Sequence, residues 1–246
     1  MKRSIKLRTG CSGFYNRHWK EIFYPRELPQ SKWFDFYSQQ FNTLELNTTF
    51  YRFPAEKALQ AWYQKSPDDF VFSVKAPRLI THYKKFNDCE QLLNDFYLTC
   101  EKGLKGKLGC LLFQLPPGIE YDLEKLQQII SSLHRGFTNV IEFRHKSWWT
   151  KKVYDTLAEN NIIFCSVSHP AMPDDIIVNT ATAYIRLHGV PRIFYSGYDD
   201  AQLDTLYTAI MKNKKVKEGY VYFNNTAGNE GVLNAMKFRE LAAQKK

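Results

Sequence analysis

VIEFRHKSWW, residues 140–149, starts as a buried strand and then departs from one. Glu142 and Arg144 stand two positions apart with Ile141 and Phe143 on the alternate positions, so in an extended chain both charged groups share one side. A parallel barrel offers such a side. Its strand residues face either the packed helices or the lumen, and the lumen opens where the strands end.

Outward from this stretch the same arrangement recurs. Glu45 and Asn47 alternate with Leu44 and Leu46, and Arg186 and His188 alternate with Ile185 and Leu187. Lys75, Gln114 and Asn224 close three further apolar runs. In all there are eight such runs, at 5–10, 43–47, 70–75, 109–115, 139–144, 162–167, 183–189 and 219–225. Amphipathic stretches separate most of them, at 31–41, 56–66, 88–104, 122–135, 147–161 and 199–213, with Asp88, Asp122, Ser147 and Asp199 as expected N-caps. Strand–helix alternation implies parallel strands, and eight units imply a closed barrel. The sixth crossover, 169–182, carries two prolines and no helical pattern. The expected fold is therefore α/β, a single (β/α)8 TIM barrel over residues 1–246 with an irregular sixth crossover.

Composition sets the outer limits. The 246 residues are 44% hydrophobic and 24% charged, which suits a folded chain with a sizeable core. The formal charge of +9 admits an anionic partner, but the basic runs 102–107 and 212–218 precede strands and so belong to the far end of the barrel. Five cysteines without a C-x-x-C spacing read as reduced, buried thiols. No run of about 18 apolar residues is present, and MKRSIKLRTG lacks the apolar core of a signal peptide, so the expectation is a cytoplasmic protein with no membrane partner.

At the barrel mouth the expected catalytic residues are Glu142 as general base, His188 as general acid and Glu45 as a second carboxylate. The expected ligand contacts are Asn47, Lys75, His82, Gln114, Arg144, Arg186, Asn224 and the loop groups Tyr51 and Trp148. Gly228, near the start of the last helix, is added as part of a backbone anion site. Rings beside cations suit a phosphorylated sugar, a nucleotide or nucleic acid. Histidines and carboxylates are too few for a metal cluster, and no H-x-H or H-E-x-x-H spacing occurs, so no metal ligand and no cofactor is assigned, while a single divalent ion stays open. Because buried charges add little stability over apolar packing, Glu142→Gln is expected to be neutral in stability and to lose ligand.

The motifs GCSGFY, LELNTTFYRFP, FSVKAPRLITH, LLFQLPP, EFRHKSWW, YIRLHG and YFNNTAGNEGVLNA, spread over nearly the whole chain, resemble the YecE-like family. The resemblance implies a TIM barrel and no particular reaction. Likeness to metal-dependent endonuclease or sugar isomerase barrels is at the level of fold only. The residues themselves point to a metal-independent hydrolase or lyase acting on an anionic, phosphorylated substrate. The alternatives are a binding or regulatory protein for an anionic ligand, and a metal-dependent barrel of the endonuclease or isomerase type. The oligomeric state is left open.

Overall fold

The computed structural model describes residues 5–245; residues 1–4 and 246 of the expected single-domain span lie outside the described residues. Its strands are β1 (Lys6–Cys11), β2 (Thr43–Leu46), β3 (Val71–Lys75), β4 (Leu108–Gln114), β5 (Thr138–Glu142), β6 (Ile163–Ser168), β7 (Thr182–Leu187) and β8 (Glu218–Phe223). All are parallel to their neighbours, in the order β1-β8-β7-β6-β5-β4-β3-β2. The helices are α1 (Trp33–Gln40), the single turn α2 (Thr48–Tyr51), α3 (Glu56–Lys65), α4 (Glu90–Leu104), α5 (Leu123–Ser132), α6 (Lys151–Glu159), α7 (Asp200–Lys212) and α8 (Glu230–Gln244). The result is an α/β TIM-barrel-like ring of eight strands inside a helical shell.

Helix formation follows the apolar period. In α4 the buried residues Leu93, Phe96, Tyr97, Cys100 and Leu104 recur every three or four positions and form the stripe laid on the strands. Asp122 accepts from the Lys125 amide, and Asp199 makes a full capping box with Gln202, as expected. Two caps differ from expectation. The N-cap of α4 is Cys89, with Asp88 in the left-handed region at φ 42°. That of α6 is Thr150, whose side chain accepts from the Val153 amide, because Ser147 is engaged elsewhere: its Oγ accepts from the Tyr121 amide at 2.7 Å.

The sixth crossover has no helix, as its prolines imply. An extended strap takes its place and is pinned by side chains: Ser166 Oγ accepts from the Ile177 amide at 2.8 Å, and Asn179 accepts from the Phe164 amide at 2.9 Å while donating to the Ile162 carbonyl at 2.8 Å.

β1 and β2 stand at the two ends of the strand order, with no ladder between them among the described residues. Side chains join them instead, with Arg8 Nη1 of β1 donating to the Asn42 carbonyl at 3.4 Å. Asn42 accepts from the Thr9 amide at 3.0 Å and donates to the Leu7 carbonyl at 3.1 Å. The Tyr37 hydroxyl accepts from the Cys11 amide at 2.7 Å and donates to the Thr43 carbonyl at 3.1 Å. Gly10 permits this approach, since a Cβ there would collide with the Thr43 carbonyl oxygen. All five cysteines are free and buried. Among the described residues no helix is long and apolar enough to cross a membrane.

Candidate functional site at the barrel mouth

Strand parity brings the expected charged residues together, but in two layers. The lower layer is sealed. Glu45 from β2, Glu142 from β5, Arg186 from β7 and His188 just beyond β7 are all 0% exposed. Arg186 stands between the carboxylates, with Nη2 donating to Glu45 Oε1 at 2.7 Å and Nη1 donating to Glu142 Oε2 at 2.6 Å. The Tyr184 hydroxyl donates to Glu45 Oε2 at 2.6 Å. In the amide orientation that satisfies both of its ends, Asn47 donates to Glu45 Oε1 at 3.2 Å and accepts from Arg186 Nη2 at 3.3 Å. Arg144 Nε closes the layer from above on Glu142 Oε1.

The electrostatics follow from this packing. Burial alone would raise the Glu142 carboxyl, yet Arg144 and Arg186 outweigh it and hold the group well below the usual carboxylate range. Burial pulls His188 down to about 3 against the attraction of Glu142, so its ring is neutral. It accepts at Nε2 from Arg144 Nη2 at 3.1 Å, and its Nδ1 lies 2.7 Å from the Asn224 amide.

These facts correct four expectations. Glu142 is sealed from the cavity and its carboxylate is held by two guanidiniums, which makes it too weak and too enclosed a base to take a proton from a ligand. A neutral, fully buried imidazole is likewise the wrong state for a general acid. Glu45 and Arg186 are internal pillars, with no surface for a ligand.

The upper layer is open. A cavity of about 380 Å³ is lined by Asn47, Phe50, Tyr51, Lys75, Arg78, His82, Tyr83, Gln114, Arg144, Phe194 and Asn224. Lys75 ends β3, and its Nζ donates to Gln114 Oε1 at 2.6 Å and sits 4.1 Å from the centre of the Phe50 ring. Burial, reinforced by the Arg186 charge, brings the Lys75 ammonium down to about 7. A π-helical turn, Leu79–Tyr83, follows β3 and carries His82. Burial and the charges of Lys75, Arg144 and Arg78 lower that imidazole to about 4. Arg78 is exposed on the rim, between the rings of Tyr51 at 5.7 Å and Tyr83 at 5.4 Å. Arg144 has partners on this chain for Nε and one Nη, which leaves the rest of its five N–H groups for the cavity it lines.

Of the expected contacts, Asn47, Tyr51, Lys75, His82, Gln114, Arg144 and Asn224 reach this cavity. Trp148 does not. It is fully buried, stacked on Phe143 at 4.1 Å, and its indole N–H donates to the Ile119 carbonyl at 2.8 Å. Gly228 is also elsewhere: its carbonyl accepts from the Trp19 indole at 3.0 Å, and Glu230 puts a carboxylate in the first turn of α8, which opposes an anion there. Phe194, like Phe50, Arg78 and Tyr83, lines the cavity from outside the strands, where strand parity gives no reading. It sits in a loop at φ 68°, and its amide donates to the His188 carbonyl at 2.5 Å. No periodic pattern marks such a residue. Among the described residues no group of three or more His, Cys, Asp or Glu side chains is placed to hold a metal ion.

Known proteins fit this architecture. A family model described as "Protein of unknown function DUF72" matches residues 8–246. The UPF0759 protein YecE of Escherichia coli (strain K12) is 32% identical over 116 residues, 47% of this chain and 42% of that protein, so the match spans under half the length of that relative. The UPF0759 protein YunF of Bacillus subtilis (strain 168) is 22% identical over 90% of each chain. A DUF72 family protein from Thermotoga maritima superposes with a TM-score of 0.88 at 28% identity, covering 97% of this chain and 99% of that one.

Proposed function

This chain belongs to the DUF72 family of TIM-barrel proteins, and from that premise we propose that its barrel mouth binds a small anionic ligand of the phosphorylated-sugar or nucleotide class. One observation carries the reading. The two lumen carboxylates are fully engaged below by Arg186 and Arg144, so Lys75, Arg78 and the free edge of Arg144 face the cavity with no further carboxylate of the described residues to meet them. An excess of cations in a concave, half-dry site favours a ligand that supplies negative charge. Tyr51, Tyr83 and Phe50 add ring surface on one side, which suits a sugar or base attached to that charge.

Thermal unfolding with millimolar inorganic phosphate, a sugar phosphate and a nucleoside monophosphate tests the reading. The wild type is expected to gain several degrees with the phosphorylated compounds and nothing with the parent sugar or nucleoside. Arg78→Ala removes an exposed side chain with no ion pair among the described residues, so it should leave the unliganded melting temperature in place and cut the ligand-induced gain by half or more. Equal gains in wild type and variant, or no gain in either, would end the proposal.

A further inference from the structure

We propose that Lys75 is a nucleophilic amine that forms an imine with the carbonyl group of an anionic aldehyde or ketone held in the mouth. The inference rests on the anion-binding reading above and names the substrate class for it.

The geometry is that of an amine kept free. Lys75 is 8% exposed, yet among the described residues no carboxylate lies within ion-pair distance of it. An ammonium has three N–H donors, and among the described residues Lys75 finds one acceptor, the uncharged Gln114 Oε1 at 2.6 Å. The Phe50 ring covers it at 4.1 Å, and the remaining direction is the cavity. Burial first, then the Arg186 and Arg144 guanidiniums, brings the group to about 7 against the opposing pull of Glu142 and Glu45. A large share is therefore free base at neutral pH, which an ordinary lysine is not. Gln114 takes one N–H and so turns the nitrogen, as a positioning residue, toward the open space. Arg78 and Arg144 hold the ligand's negative group within the same cavity.

The chemistry is self-contained. The Nζ lone pair attacks the carbonyl carbon, forming C–N, while the C=O π pair moves to oxygen. One proton passes from nitrogen to that oxygen and gives the carbinolamine. Loss of the hydroxyl with one further proton, as water, leaves the C=N bond. No oxidant or reductant takes part.

The test uses pyridoxal 5′-phosphate as a phosphorylated aldehyde and sodium cyanoborohydride to reduce any imine to a stable secondary amine, followed by peptide mass mapping. At pH 7 the adduct on Lys75 is expected at ten times or more the level on an exposed lysine such as Lys151, and excess inorganic phosphate should suppress it at least fivefold. Labelling of Lys75 against pH should rise to half near 7. This profile needs only the wild type, so it stands even where Lys75→Arg, which keeps the cation and should abolish the adduct, fails to fold. If Lys75 labels no faster than Lys151 while phosphate still raises the melting temperature, the nucleophile is refuted and the anion site survives. If phosphate neither stabilises the protein nor suppresses labelling, both fall.

Discussion

Lys107 and Lys75 are both 8% exposed, both lie over an aromatic ring and neither has an ion-pair partner among the described residues, but they end in opposite situations. Lys107, at the N-terminal end of β4, donates to the Tyr63 carbonyl at 2.9 Å and to the Ser66 carbonyl and Oγ at 2.7 and 3.0 Å. It caps the C-terminal end of α3, where orphan carbonyls and the negative end of the helix dipole receive it. Lys75, at the C-terminal end of β3, has one neutral acceptor and a cavity. Burial with full satisfaction makes a lysine part of the scaffold. Burial with donors left over makes it available to something else.

The largest test of this contrast is at Glu142, which holds the sealed layer under Lys75. Removing its charge leaves Arg186 and Arg144 short of a partner, and Glu142→Gln is expected to lose about 3–5 kcal/mol in urea unfolding. This reverses the neutral effect expected from sequence, and a loss under about 1 kcal/mol would show that the layer does not depend on this carboxylate. Lys107→Met should follow, losing about 2–3 kcal/mol because the Ser66 carbonyl loses its Lys107 donor and the Tyr63 carbonyl is left with Ser66 Oγ at 3.1 Å. A neutral outcome would erase the distinction between the two lysines.

The smallest effect has the opposite sign. The folded-state value of Lys75, about 7, lies below the ordinary 10.5, so the folded protein binds fewer protons than the unfolded chain between these limits. Wild-type stability should therefore gain a rising contribution from pH 7 to about 10.5, and the penalty for charging Lys75 should be complete below 7. Lys75→Met is expected to be more stable than wild type by about 1–3 kcal/mol at pH 6, with the margin shrinking as pH rises toward 10. A margin independent of pH would mean that Lys75 is not the group responsible.

The barrel was legible in the sequence because its strands are short apolar runs with a period of two at their ends and amphipathic helices between. Each of the eight observed strands lies within about two residues of an expected run. Parity also identified the strand-end residues of the mouth, Asn47, Lys75, Gln114, Arg144 and Asn224, since it reports which side of a strand a residue faces. It does not report depth. Glu142 and Arg144 share a side, but one is sealed and the other edges the cavity, a difference of height along one segment: Glu142 is the last residue of β5 and Arg144 lies two residues beyond it. The same blindness made a general base of a carboxylate already bound by two arginines. Trp148 and Gly228 were misplaced for another reason: aromatic and glycine-rich loops look alike in sequence whether they face a ligand or plug the shell.

The junction between β1 and β2 has a consequence for the behaviour of the protein in solution. A barrel escapes the hazard of exposed sheet edges only by closing, and here the closing bonds come from Asn42 and Tyr37 rather than from a ladder. Those two side chains occupy backbone donors and acceptors of Leu7, Thr9, Cys11 and Thr43 that would otherwise be free to pair with another chain. Resistance to edge-to-edge aggregation therefore depends in large part on two residues outside the strands they protect.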